Sequence, residues 1–347
     1  MNNDIKVRGK NNSKVTIKDV ARKSGFTIGT VSNVLNGKDN VKEETRKKVL
    51  EAIHELGYVR NLQARNMRIK MNKIIGFLVP KFTNYFYAGI LNAFMYNAEK
   101  EGYTVFLLDY DYNVDQEKKC IDILLQNQVG TLILANGSGD EEFIKKLVQQ
   151  GIKIILMDRH IELDGVSCIS YKNNEIIEYI IGKLKDKGYK SIGYVSEKID
   201  IVNLKDRFEA YVEGLKKYGY EYNKDFVFIS SEFTQNHIAK GYEFADNLIK
   251  THLKEDLPQS FIVSSDLIAI GMLKAFKDNN YKIPGDFGIV GCDNIDIASY
   301  VDPPLSTIEQ DRDEMGLELW NMTKQLNEGK IVKNKVLDQK LIIRESF

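Results

Sequence analysis

Apolar runs in this chain repeatedly end in a side chain that can hydrogen-bond. IIGFLV (74–79) leads to Tyr85 and Phe86, TLILA (131–135) to Asn136, and IIL (154–156) to Asp158 and Arg159. SFIVSS (260–265) closes on Ser265 and Asp266, FGIVGC (287–292) on Asp293, and Arg207 begins a helical stretch. Carboxylates, an amide, a hydroxyl and a guanidinium beside aromatic rings form a set suited to sugar hydroxyls or another polar small molecule. Each has a plainer alternative as well. Asp158 could pair with Arg159 or cap a helix, and Asp266 could be the N-cap of a helix starting at Leu267.

The elements that must position these residues are legible from texture. The runs at 74–79, 105–108, 131–135 and 154–156 are apolar throughout and alternate with amphipathic stretches at 87–101, 115–126 and 140–150. Strands without polar alternation, separated by helices, predict a parallel sheet covered on both faces. The texture restarts with strands at 191–195, 226–230, 260–265 and 287–292 and helices at 208–218, 238–251 and 267–279. Two such halves, divided near residues 171–174, predict two α/β lobes. Ligands of doubly wound sheets lie outside the C-terminal strand ends, where the polar residues fall.

A second chemistry-bearing stretch is TIKDVARKSGFTIGTVSNVLNG, residues 16–37. Thr16 with Asp19 fits a capping box, and Ile17, Val20 and Ala21 repeat at helical spacing. Gly25 stops that helix. Thr27 is placed to cap another, in which Ile28, Val31, Val34 and Leu35 form the apolar face. This is a helix-turn-helix pattern, whose second helix offers its N-terminal residues to base edges in the major groove. The bland alternative is a helical hairpin inside a larger core. Charge favours DNA, because residues 1–73 hold 17 Lys or Arg against 7 Asp or Glu, a net of +10, leaving −10 for the rest. A basic head on an acidic body suits a phosphate-binding module. A third helix follows at 43–56, ended by Gly57. The basic stretch 58–72 reads either as a linker or as a segment that folds only against DNA and a second copy of itself.

Composition excludes several classes. A chain of 347 residues predicts two or three domains. Cys120, Cys168 and Cys292 are far apart and odd in number, which supports neither a disulfide framework nor a zinc site and leaves buried reduced thiols. The polar, basic start lacks a signal-peptide core and no apolar run reaches membrane length, so a cytoplasmic protein with no membrane partner is expected. His54, His160, His237 and His252 are scattered, and NGSGDEEF (136–143) places Glu142 where a dinucleotide fingerprint needs glycine. Catalysis and a resident cofactor are therefore not expected. A solute-binding protein feeding a transporter remains a rival for the body, opposed by the basic head.

Taken in order, the motifs resemble the LacI/GalR family of transcriptional regulators over nearly the whole chain. The opening VTIKDVARKSGFTIGTVSNVLNG is similar to the family's, as are Thr45, Arg46 and Val49 after it. Further matches are Asp158–Arg159, RFEAY from Arg207, SSDLIAIGMLKAF (264–276), KIPGDFGIVGCDN (282–294), DPPLSTIEQ (302–310) and LIIRES near the end. The resemblance implies a small all-α helix-turn-helix headgroup followed by a two-lobed α/β body of parallel sheets, like the type I periplasmic binding proteins. Its parts would be a tail (1–14), a DNA-binding domain (15–58), a hinge (59–72) and an effector-binding and dimerisation body (73–347).

The same resemblance implies a homodimer on a pseudo-palindromic double-stranded operator, with repression controlled by a small effector, a sugar or sugar derivative, in the interlobe cleft. The rivals are a cytoplasmic small-molecule binder without a role on DNA, or a regulator sensing a partner protein or a nucleobase. The implied DNA contacts are Thr16, Thr27, Ile28, Gly29, Thr30, Ser32, Asn33 and Asn36, with Asn61, Ala64 and Met67 in the hinge and Met67 as the wedge between base steps. By position the resemblance makes Arg207 and Asp293 the polar clamp and Tyr85 and Phe86 the stacking rings, and the strand-end residues Asn136, Asp158, Ser265 and Asp266 complete the expected effector contacts. Asn33 replaces an arginine, which favours adenine and an AT-leaning half-site. With only Phe347 after LIIRES, no tetramer-forming segment is expected.

Overall fold

The computed structural model describes residues 15–58, 72–137, 140–199 and 202–347. The chain forms two compact units, Met1–Lys70 and Met71–Phe347.

In the first unit, α1 (Ile17–Ser24), α2 (Ile28–Leu35) and α3 (Glu43–Leu56) close around Val20, Ala21, Val31, Val34, Val49 and Ala52. The Asp19 carboxylate accepts from both the backbone N–H (2.9 Å) and the hydroxyl (2.7 Å) of Thr16, fixing the start of α1. Gly25 ends it in the left-handed region, φ 75°, where a side chain would be strained. Thr27 caps α2, its Oγ1 accepting from the Thr30 N–H at 3.1 Å.

The second unit holds two six-stranded sheets. One contains β1 (Ile74–Val79), β2 (Thr104–Asp109), β3 (Thr131–Ala135), β4 (Lys153–Met157), β5 (Val166–Tyr171) and β11 (Lys335–Leu337), ordered β11-β5-β4-β3-β1-β2 and parallel throughout. The other contains β6 (Ile192–Ser196), β7 (Val227–Ile229), β8 (Ser260–Val263), β9 (Gly288–Asp293), β10 (Ser306–Glu309) and β12 (Lys340–Ile342), ordered β12-β10-β9-β8-β6-β7. Its edge strand β12 alone runs antiparallel. The first sheet is flanked by α4 (Tyr85–Lys100), α5 (Val114–Gln126), α6 (Glu141–Gln149) and α11 (Arg312–Asn327). The second is flanked by α7 (Asn173–Asp186), α8 (Val202–Lys217), α9 (His237–Thr251) and α10 (Asp266–Asp278).

The expectation of two consecutive halves needs correcting. After β10 the chain returns to the first lobe, where Met315, Leu319 and Trp320 of α11 enter the same core as Phe77, Ile90 and Phe94. It then adds β11 to the first sheet and β12 to the second, so the lobes are joined by three crossings. Three-residue edge strands give no apolar run to read. The strand β5 and helix α7, which span the expected divide, were likewise not foreseen.

Helices α9 and α10 meet at glycines. A Cβ on Gly271 would lie 2.1 Å from the Ile238 carbonyl oxygen and 2.7 Å from the Tyr242 nitrogen, and one on Gly241 2.3 Å from the Ile268 oxygen. Backbone cannot rotate away as a side chain can. Gly271→Ala is therefore expected to force the helices apart and cost about 1–3 kcal/mol, read as a lowered denaturant midpoint.

Candidate functional site

The polar residues after the strands gather at the C-terminal ends of both sheets. A cavity of about 50 Å³ lies there, lined from the first lobe by Asn84, Phe86, Tyr87, Tyr112 and Asn136. Its second-lobe wall carries Glu197, Asn203, Leu204, Arg207, Thr234, Ser264, Ser265, Asp293 and Gln310. Backbone conformation helps aim these side chains. Asn136, Asp158 and Asp293 leave their strands at φ 53°, 54° and 119°, a region that costs non-glycine residues energy and that Asn and Asp tolerate best.

Arg207 anchors the second-lobe wall. Its Nε donates to Asn173 Oδ1 (2.9 Å), Nη1 to the Ser264 carbonyl (3.2 Å) and Nη2 to Gln310 Oε1 (3.0 Å). Gln310 turns its amide nitrogen to Asp293 Oδ1 at 2.8 Å, so one amide couples the cation to the carboxylate. Burial and the neighbouring Asp266 charge push the Asp293 pKa up against the pull of Arg207. On the same wall Glu197 accepts from the Ser264 hydroxyl and stands 3.2 Å from His237 Nε2. Burial would raise its pKa, but the contacts with His237 and Ser264 outweigh it and hold Glu197 ionised.

In the first lobe, Asn136 donates to the Tyr87 hydroxyl at 2.6 Å. Arg159 does not pair with Asp158. It donates to the Asn136 carbonyl at 3.2 Å and faces Glu117 at 3.9 Å, both side chains being buried. Neither Asp158 oxygen has a hydrogen-bond partner, and burial pushes its pKa up to about 6 even with Arg207 opposing.

In the headgroup, Ile28 is 41% exposed at the start of α2, with Thr27 and Gly29 also exposed and Thr30, Ser32 and Asn33 partly so. Thr16 is exposed ahead of α1 and Asn36 beyond α2. Asn61, Ala64 and Met67 lie outside the described residues.

Comparison with known proteins decides the family. Residues 16–61 match "Bacterial regulatory proteins, lacI family" and residues 181–347 a periplasmic binding protein-like domain. The chain is 31% identical over 335 residues to the HTH-type transcriptional regulator RegA of Clostridium saccharobutylicum, covering 95% of this chain and 98% of that protein. This protein belongs to the LacI family. Among other family members it is 28% identical over 315 residues to catabolite control protein A of Priestia megaterium, covering 90% of this chain and 93% of that one. Its fold matches the Lac repressor dimer bound to operator and the anti-inducer ONPF, with TM-score 0.79 and 22% identity over 96% of this chain and 99% of that one. The chain is thus a DNA-binding transcriptional repressor, not an enzyme. LacI-family regulators bind operator DNA and small-molecule effectors and form dimers. No helix among the described residues is long and apolar enough to cross a membrane.

Within this LacI-family body, the cavity gathers Phe86, Asn136, Arg207, Ser265 and Asp293 from the residues read as effector contacts. Three others fall elsewhere. Tyr85 is 60% exposed, because α4 turns through about 100° per residue and carries Phe86 and Tyr87 inward instead. Asp158 is buried outside the cavity lining. Asp266 is not an N-cap; Ser265 caps α10, and the Asp266 carboxylate accepts from Ile295 N–H (2.9 Å) and Thr307 Oγ1 (2.5 Å). It braces the turn after β9 that presents Asp293.

Sequence reasoning missed Tyr87, Tyr112, Glu197, Asn203 and Gln310. Glu197 obeys the same rule as Asn136 and Asp293, since it directly follows a strand, but β6 ends one residue later than its apolar run suggests. Asn203 sits one helical turn before Arg207 in α8, which begins earlier than expected.

Proposed function

We propose that this repressor binds a small hydroxylated effector, a sugar or sugar derivative, in the interlobe cavity, and that occupancy sets its grip on a pseudo-palindromic operator. The observation carrying this reading is the polar cavity at the C-terminal ends of both sheets, built so that a ligand touches both lobes and biases their relative position. A sugar suits the lining better than a nucleobase. Rings come only from the first lobe, through Phe86, Tyr87 and Tyr112, while the opposite wall offers Leu204, Thr234 and hydrogen-bonding groups. One stacking face with polar edges fits a pyranose.

Thermal melts against sugars, sugar phosphates and nucleobases test this. A ligand at a hundred times its dissociation constant adds about 2.7 kcal/mol, a visible shift, and operator binding is then measured with and without the hit. A panel in which only nucleobases shift the melt would remove the sugar reading.

In the headgroup, α2 would enter the major groove with Thr27, Thr30 and Ser32 near phosphates and Asn33 on a base edge, aided by Thr16 and Asn36 at its margins. A homodimer would place two such helices on matching half-sites, with Asn61, Ala64 and Met67 in the minor groove between them. Asn33 pairs bidentately with adenine, whereas arginine prefers guanine. Asn33→Arg is therefore expected to move the preferred base at one half-site position from A to G, by about 1–3 kcal/mol of discrimination. Selection from random DNA with both proteins reads this directly, and an unchanged consensus would remove Asn33 from base reading.

A further inference from the structure

Some acceptors in the cavity lining meet no donor. Among the described residues, its ionisable lining consists of Glu197, Asp293 and Arg207. Arg207 already spends Nε, Nη1 and Nη2 on Asn173, Ser264 and Gln310. Glu197 uses one oxygen toward Ser264 and the other toward His237, about half of the lone-pair sites of a carboxylate. Independent of these charges, Asn203 and Asn136 line the cavity, and each has a buried Oδ1 with no hydrogen-bond partner. Behind them, both Asp158 oxygens also lack a donor. A neutral sugar hydroxyl brings a donor together with acceptors, so it meets this need only in part. An ammonium brings three donors, no acceptor and a compensating positive charge.

We propose that the effector carries a protonated amine on its hydroxylated frame, with the ammonium bound against Glu197 on the second-lobe wall. This rests on the reading of the cavity as the effector site and narrows it to aminated polyols, such as amino sugars. Glu197 is the specificity-determining group: it accepts from the ammonium while Asn203 and Asn136 accept from neighbouring donors. Phe86 and Leu204 supply the apolar surface against which the carbon frame lies. An N-acyl derivative loses the charge and two of the three donors.

The test uses the full chain. Glucosamine, galactosamine and mannosamine are each compared with the parent sugar and the N-acetyl derivative, by thermal melt and calorimetry. One amine is expected to bind about tenfold or more tighter than its two neutral counterparts. Glu197→Gln, close in shape and able to keep a contact to Ser264, is expected to erase that preference, leaving amine and neutral sugar binding within about twofold of each other. Its unliganded melt reports whether the variant folds; if it does not, Glu197→Asp, which keeps the charge but withdraws it by one methylene, is expected to weaken the preference for the amine. A neutral sugar binding as tightly as its amine, or a preference that survives Glu197→Gln, would overturn the ammonium and leave the sugar reading standing. Operator binding intact with no member of the three classes bound would overturn both.

Discussion

Replacing Arg207 by alanine should abolish the response to effector and destabilise the body by about 3–5 kcal/mol, the range for removing one partner from a buried charged network. Arg207 is 4% exposed and is, among the described residues, the only cationic side chain lining the cavity. Its loss strands the Asn173 and Gln310 acceptors and leaves Asp293 and Asp158 without the charge that opposes their desolvation. The Gln310 amide, freed from the guanidinium, no longer holds Asp293 in one position. Arg207→Lys separates charge from shape. A lysine restores the positive charge and part of the stability but cannot fork between Asn173, Ser264 and Gln310, so effector binding stays lost. Denaturant unfolding and calorimetry on the two variants give the answer. Effector affinity retained in Arg207→Ala would show that the ligand is held elsewhere.

How much of this arrangement could be read from residues alone depends on the scale of the signal. Central strands such as β1, β3 and β9 are apolar along their whole length, and the polar residue ending each was visible as a break in the run. That break and the family resemblance single out Phe86, Asn136, Arg207, Ser265 and Asp293, all of which line the cavity. What escaped depends on one-residue precision or on long-range pairing. A strand end one position later hides Glu197, and a helix beginning five residues earlier hides Asn203. Tyr112 reaches the cavity from a turn whose residues 111 and 112 both adopt positive φ, which no apolar periodicity marks. Asp266 shows the opposite error. It has the right residue type in the right place, yet its carboxylate turns to the Ile295 N–H and the Thr307 hydroxyl and does not line the cavity. Whether a strand-end carboxylate faces a ligand or its own loop is decided by partners far away in sequence.

Asp158 supplies the sharper test of that distinction, because it is buried like Asp266 but lacks the hydrogen bonds. Burial raises its pKa to about 6, so in the folded state the proton is held more tightly than in the unfolded chain, where the value is near 3.8. The contribution to stability is then fully present below the unfolded value and is lost as pH rises through 6. At pH 8 the wild type carries an ionised, unpartnered carboxylate at a cost of roughly 3 kcal/mol, two units at 1.36 kcal/mol each. Asp158→Asn removes the charge at nearly constant shape and should raise stability at pH 8 by up to that amount. By pH 5 about half of the advantage should be gone, because the wild-type carboxyl is by then mostly protonated when folded. Comparing variant with wild type at each pH cancels groups common to both, including Asp266, whose pKa burial also raises to about 6. A variant less stable than wild type at pH 8 would mean that attraction to Arg207 outweighs burial. A side chain kept at a cost to the unliganded fold needs a benefit elsewhere, and the effector state is where donors could reach it. The same substitution should therefore weaken effector binding while it strengthens the empty protein, a pair of opposite shifts that a purely structural aspartate would not produce.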